Sequence, residues 1–270
     1  MNSLVPEPLS SVFVTAFGLV IGSFLNVCIY RLPRGESVAF PGSRCPACGT
    51  PIRWYHNVPV LSWVALRGRC SSCRSPISWR YPLVEALGGG LLLGLWLAMG
   101  PGAGFAVSAL LGLMLIVLFF TDFDHQLLPD AVTLPGAALG AALAWFNPFI
   151  GGEGFGKLAV SLAGAAFGSG LLWAIGAIYG RLRGVEAMGM GDVKMMAMVG
   201  AFTGPRGVLF TLFAASVAGA AVGLALIPIR GRSLRDTLPF GCFLAPAAFA
   251  ALLGARHAFD AYLRLLNLGR

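Results

Sequence analysis

Apolar runs close to the length of a bilayer alternate with short polar connections along almost the whole chain. They cover Leu9–Ile29, Leu83–Met99, Phe105–Phe120, Ala131–Phe146, Leu158–Ile178, Val208–Ile227 and Phe243–Leu253. A helix needs ~20 apolar residues to cross a hydrocarbon core, so most of these runs predict spanning helices. An eighth run, Val193–Thr203, stops at Gly204-Pro205 and is much shorter. At ~1.5 Å rise per residue it covers about half a bilayer. Either its helix begins near Gly184 and carries Asp192 inside it, or it crosses only in part. The expected fold is an all-α polytopic membrane protein of about eight transmembrane helices, with both termini outside.

Only the stretch from 31 to 81 is polar and long enough to make a small module. The expected division is a first transmembrane helix at 1–30, a cytoplasmic domain at 31–81 and a membrane core at 82–270. Composition agrees: 57% of residues are hydrophobic and 11% charged, where soluble domains carry about a quarter charged. Met1–Ser10 holds only Glu7 and lacks the basic start of a cleaved signal, so the first run is expected to be retained.

A net charge of +8 raises the question of nucleic acid. Its distribution gives another answer. Eight arginines lie between 31 and 80, followed by Arg181, Arg183 and Lys194, and then by Arg230, Arg232 and Arg235. These connections alternate along the expected topology. The positive-inside rule places them in the cytoplasm and accounts for them without DNA or RNA.

Within the basic module, Cys45-Pro46-Ala47-Cys48 and Cys70-Ser71-Ser72-Cys73 form two C-x-x-C knuckles. Each can aim two thiolates at one point, and the two together complete a tetrahedral sulfur cage for structural zinc. Disulfides are the first alternative, but a cytoplasmic loop is reducing. A redox dithiol is the second, but it calls for a thioredoxin-like unit that this loop is too short to hold. His56 is a spare ligand at most. Trp54, Tyr55, Trp63, Trp79 and Tyr81 are expected to form the module's core or to rest at headgroup level. Cys28 and Cys242 lie in apolar runs and read as packing residues.

The carboxylates carry the second chemical signal. Asp122 closes the third span in "TDFDHQLLPD", and Asp192 follows alternating glycines in "GMGMGD". Ionisable groups at membrane depth are costly and face a cavity or a partner. Two facing aspartates share a proton, so one can act as base on water and the other as acid toward a peptide carbonyl. The same pair also suits a proton relay in a proton-coupled transporter, and the residues alone leave both readings open. Gly189 and Gly191 let the backbone beside Asp192 approach a helix or an extended substrate. Asp130 reads as an N-cap of the fourth span, Asp124 as a solvated or paired acid, and Glu85 as an interfacial partner of Arg80. Five methionines around Asp192 read as core, or as an adaptable surface for substrate helices.

These segments together resemble a known family, the type IV prepilin leader peptidases, which are bacterial membrane aspartic proteases. "GSFLNVCIYRLPRGES" (22–37) is similar to the end of that family's first span. The stretch 45–85 resembles its zinc-bearing cytoplasmic domain, and "TDFDHQLLPD" and "GMGMGDVK" resemble its two catalytic segments. The resemblance implies catalysis by Asp122 and Asp192 with support from Gly189, Gly191, Asp124, Asp130 and Lys194. It also implies a bacterial inner membrane location with the active site facing the cytoplasm. The implied substrates are prepilins or type II secretion pseudopilins, cut between a basic leader and an apolar helix. Many members then methylate the new N-terminus with S-adenosylmethionine, and those with the four-cysteine domain are commonly bifunctional. The resemblance implies structural zinc on Cys45, Cys48, Cys70 and Cys73. It assigns no residues to the methyl donor, for which 22–33 is only a candidate region. Asp122, Asp124, Asp130, Glu186 and Asp192 would form an acidic patch for the leader's cations. The arginine-rich loop would serve orientation and contact with membrane lipid.

Overall fold

The computed structural model describes residues 8–184, 188–230 and 238–265. Glu186 of the expected acidic patch lies outside them. Among the described residues the regular structure is helical, and the only β pairing is two isolated bridges. The chain divides into two compact units, 1–117 and 118–270.

The first unit holds α1 (Pro8–Arg31), the short α2 (Leu61–Ala65), α3 (Arg80–Met99) and the start of α4 (Ala103–His125). Lipid offers no hydrophobic drive between helices, so their pairing relies on small residues that let backbones close up. α1 and α3 pair in this way: a Cβ on Gly18 would stand 2.7 Å from the Gly88 carbonyl oxygen, and one on Gly22 would stand 2.7 Å from the Glu85 Cα. Between these helices the 32–79 segment folds through turns rather than long elements.

The second unit holds the end of α4, then α5 (Asp130–Ala142), α6 (Phe155–Arg183), α7 (Met190–Arg230) and α8 (Gly241–Leu265). α7 packs against α5, α6 and α8. Gly164 and Gly200 make the closest approach, since a Cβ on Gly200 would fall 2.1 Å from the Gly164 carbonyl oxygen.

α7 merges two of the apolar runs across a break at Gly204, whose φ of 68° and ψ of −179° are not helical. Pro205 has no N–H for the Ala201 carbonyl, and the break removes the helical partner of Phe202. Ser161 Oγ donates to the Ala201 oxygen at 2.7 Å, and Asn147 Nδ2 donates to the Phe202 oxygen at 2.8 Å. An unpaired buried carbonyl costs ~1–3 kcal/mol, so these two side chains are what make the break tolerable. The short sixth run thus begins at Met190 rather than near Gly184, and Asp192 lies in its first turn.

Among the described residues, five helical stretches suit a membrane crossing by length and composition: Pro8–Arg34, Arg80–Met99, Ala103–His125, Phe155–Leu182 and Met190–Leu226. α5 and the apolar part of α8, Gly241–Gly254, are shorter. The protein is a multi-pass membrane protein.

Candidate active site and metal centre

The two cysteine knuckles repeat each other. Cys45 N–H donates to Thr50 and Cys70 N–H to Ser75, while antiparallel bridges pair Arg44 with Pro51 and Arg69 with Pro76. Each turn needs a left-handed residue just after its second cysteine. Gly49 supplies it in the first knuckle (φ 70°), but Arg74 does so in the second (φ 60°).

The four Sγ atoms lie within 4.8 Å of one another, with Cys45 and Cys73 at 3.9 Å. Four thiolates at the usual Zn–S length of ~2.3 Å would stand ~3.8 Å apart at the corners of a tetrahedron. The cluster therefore fits a metal such as zinc, and His56 is outside it. Burial acts to raise the Cys45 thiol, but N–H groups of Cys48 and Ala47, with the Ser75 and Cys70 side chains, bring it down to about 6. Hydrogen bonds from Ser75 lower Cys73. Thr50 pulls Cys48 down as well, yet burial and its thiol neighbours outweigh that and leave it raised. Opposed shifts are expected where acids share one site.

The aromatics differ in burial. Trp63 is half-buried and donates its Nε1–H to the Ile77 oxygen at 3.1 Å, while Trp54 and Trp79 are exposed. Glu85 is drawn into the module's packing. It is 8% exposed, and its Oε2 accepts the Val60 N–H at 2.7 Å.

Asp122 and Asp192 both belong to the second unit and interact electrostatically. Asp122 ends α4 and is 5% exposed. Its Oδ2 accepts the backbone N–H of Cys242 at 3.0 Å, from the first turn of α8, where free N–H groups favour an anion. Gly241 makes this possible, because a Cβ there would lie 2.8 Å from that oxygen. Asp192 opens α7 and is half-buried.

Leu128, from the loop after α4, lies between these helix starts. A Cβ on Gly191 would meet the Leu128 Cβ at 3.0 Å, and one on Gly241 would meet its Cδ2 at 3.2 Å. Gly191 is thus a packing glycine. Gly189 differs: among the described residues a Cβ there would meet nothing nearer than 3.9 Å, where the Asp192 carboxylate lies.

One expectation needs correction. Asp130 is the first residue of α5, behind Pro129 as N-cap, and does not cap the helix. Its carboxylate instead takes both hydrogen bonds from Lys194 Nζ, at 2.8 and 2.7 Å, so its charge is already answered. Met195, Met196 and Met198 are fully buried, which takes the core reading of the two that the sequence left open. Cys242 is buried as expected, but its backbone serves Asp122. Asp124 and His125 are exposed.

The bacterial peptidase A24 N-terminal domain matches residues 16–99, and the type IV leader peptidase family matches 109–224. The chain belongs to the type IV leader peptidase family. Among its relatives is the prepilin leader peptidase/N-methyltransferase of Pseudomonas putida, 38% identical over 94% of this chain and 93% of that protein. The protein of the same name from Myxococcus xanthus is 41% identical over 84% of this chain and 66% of its own. That of Stutzerimonas stutzeri is 37% identical over 98% of both. No solved structure matches. The leader peptidase match covers Asp122 and Asp192, and the N-terminal match covers all four clustered cysteines.

Gly241 and Leu128 carry no mark in the sequence, and Cys242 shows there only its packing side chain, not its backbone donor. Pro239 just ahead of an apolar run does mark a helix start at Gly241. Nothing in the residue order says which carboxylate that start would face.

Proposed function

We propose that this chain is a bacterial inner-membrane aspartic endopeptidase that removes the basic leader from prepilins or pseudopilins and then methylates the new N-terminus. The order follows from chemistry, since the acceptor amine exists only once the amide bond is cut. The reading is supported above all by the neighbouring carboxylates of Asp122 and Asp192 at two helix ends, in a family whose relatives are named for both activities. Family membership also favours hydrolysis over the proton-coupled transport that the carboxylates alone would allow.

In this reading Asp122 and Asp192 hold one proton between them, because two adjacent charges are costly. The ionised carboxylate takes a proton from water as the water adds to the scissile carbonyl. The protonated one gives its proton to the carbonyl oxygen. Collapse of the tetrahedral intermediate breaks the C–N bond, and a proton returns to the leaving amine. The Cys242 N–H holds the Asp122 carboxylate in place through this cycle. Gly189, without a side chain, lets the extended substrate approach beside Asp192. Asp124, exposed near Asp122, contributes to the face met by the leader's lysine or arginine. Lys194 and Asp130 tie the start of α7 to the start of α5.

We assign eight crossings to the chain and a cytoplasmic side to the aspartates, on the strength of the arginine-rich connections. Residues 1–30, 31–81 and 82–270 then divide into first span, metal module and peptidase core. Cys45, Cys48, Cys70 and Cys73 hold zinc, which supplies the cross-link that so small a module needs in place of a large core. S-adenosylmethionine, when bound, supplies the methyl group.

Incubation of the purified chain in detergent with a prepilin-derived peptide tests the proposal. Mass spectrometry should show the leader removed without any ion gradient, and one added methylene when S-adenosylmethionine is present. An intact peptide after incubation with folded, zinc-loaded protein would sink it.

A further inference from the structure

The two aspartates proposed for cleavage are not equivalent. Asp122 Oδ2 accepts the backbone N–H of Cys242 at 3.0 Å in a buried contact. Gly241 lets the start of α8 come this close, since a Cβ there would stand 2.8 Å from the same oxygen. Cys242 lies in the first turn of α8, so its N–H has no helical partner to serve instead. The Cys242 thiol donates to the Phe119 carbonyl oxygen at 3.5 Å.

Asp192 has no such support. Its carboxylate accepts no hydrogen bond among the described residues, and its own N–H is turned to the Gly189 carbonyl at 3.2 Å. It stands in the first turn of α7, where the helix dipole also favours a negative group. That diffuse effect is weaker than a direct hydrogen bond from an N–H to a carboxylate.

Charged groups on the surrounding elements leave this order standing. Lys194, two residues beyond Asp192, is held by both oxygens of Asp130 at the start of α5. Lys157 of α6 donates to the carbonyls of Trp145 and Asn147. Asp124 and His125 of α4, Arg181 of α6, and Arg206 beyond the break in α7 are exposed. α8 carries no charged residue between Gly241 and Gly254.

We propose that the first turn of α8 fixes where the shared proton sits: Asp122 is the ionised base toward water, Asp192 is the protonated acid toward the scissile carbonyl, and the Cys242 N–H sets this order. A hydrogen bond to the charged form of an acid favours that form, and environments that differ across a pair assign its acid and its base. The proposal rests on the peptidase reading above and divides its roles.

The assignment closes the catalytic cycle. Asp122 takes a proton from water as the water oxygen bonds to the carbonyl carbon, and Asp192 gives its proton to the carbonyl oxygen. In the resulting gem-diol, Asp122 passes its new proton to the amide nitrogen and the C–N bond breaks. Asp192 recovers a proton from one hydroxyl as the carbonyl re-forms. The new acid and amine leave with Asp122 ionised and Asp192 protonated, as at the start.

The test is the pH dependence of kcat/KM for one prepilin-derived peptide, with the full chain in detergent. Its acidic limb reports the carboxylate that must be ionised in the free enzyme. Cys242→Pro removes the N–H, and proline is accepted in the first turn of a helix. Without the donor Asp122 ionises less readily, so the acidic limb should move up by about one pH unit or more, a tenfold change in the ionisation constant. Cys242→Ala loses the thiol but keeps the N–H, and its acidic limb should stay at the wild-type position. Should Cys242→Pro cleave at no pH, a backbone ester at 242, introduced with an α-hydroxy acid, removes the N–H with little change of shape and decides. An acidic limb that stays in place without the N–H overturns the assignment while proteolysis stands. A basic limb that moves up in its stead makes Asp122 the acid. An equal shift in Cys242→Ala transfers the effect to the thiol and overturns the role of the N–H. A wild-type chain that leaves the peptide intact overturns the peptidase reading, and this one with it.

Discussion

The cysteine module and the aspartate site solve the problem of holding reactive groups together in opposite ways. In the module the four thiols come from two short turns, each closed by its own backbone hydrogen bonds, and a metal would join the turns. At the aspartate site the two carboxylates stand at the ends of separate helices. Their spacing depends on what the neighbouring backbone leaves out: a Cβ at Gly241 and another at Gly191. One region is held by bonds and the other by fit. The module should therefore fail when a ligand is lost, and the aspartate site when volume is added.

The most severe break of this contrast is removal of a carboxylate. Asp122→Asn or Asp192→Asn should lower cleavage of a prepilin peptide by about a thousandfold or more, within the range for losing a general acid or base. Zinc content should stay at the wild-type level. Next comes added volume. Gly241→Ala pushes a methyl into the space of the Asp122 oxygen, and displacement by about 1 Å can cost ~10²-fold in rate. Assays of kcat against peptide concentration should show this loss with the metal again retained.

A milder probe is pH. The Cys45 thiol at about 6 is depressed from its ordinary value, so its thiolate is available above that pH and is lost as pH falls through it. Zinc reloading of metal-stripped protein, followed by a colorimetric chelator, should therefore weaken below about pH 6. The smallest effect belongs to Lys194→Gln. Its pair with Asp130 is partly exposed on both sides, at 31% and 55%, so the loss should be under ~1 kcal/mol, seen as a small drop in thermal unfolding temperature.

The same contrast decides what the sequence could disclose. Cys45, Cys48, Cys70 and Cys73 announce themselves because a knuckle's geometry is complete within a few residues. The break in α7 was visible for the same reason, as Gly204-Pro205. The partner of Asp122 was not, because the Cys242 N–H is 120 positions away and a backbone donor leaves no trace in residue type. Asp122 and Asp192 stood out as ionisable groups at membrane depth, and the resemblance favoured peptide hydrolysis over a proton relay for them. The methionines left two readings open: their number near Asp192 was legible, but only packing reveals that three of them are fully buried core.

Leu128 gives the second unit an adjustable gauge. Its isobutyl group packs against the residue before Asp192 and the residue before Cys242, so a purely hydrocarbon side chain lies between the two helix starts of the proposed catalytic site. Natural variation at that one position could retune the enzyme's reach toward bulkier or slimmer polypeptides while every polar atom of the machinery stayed the same.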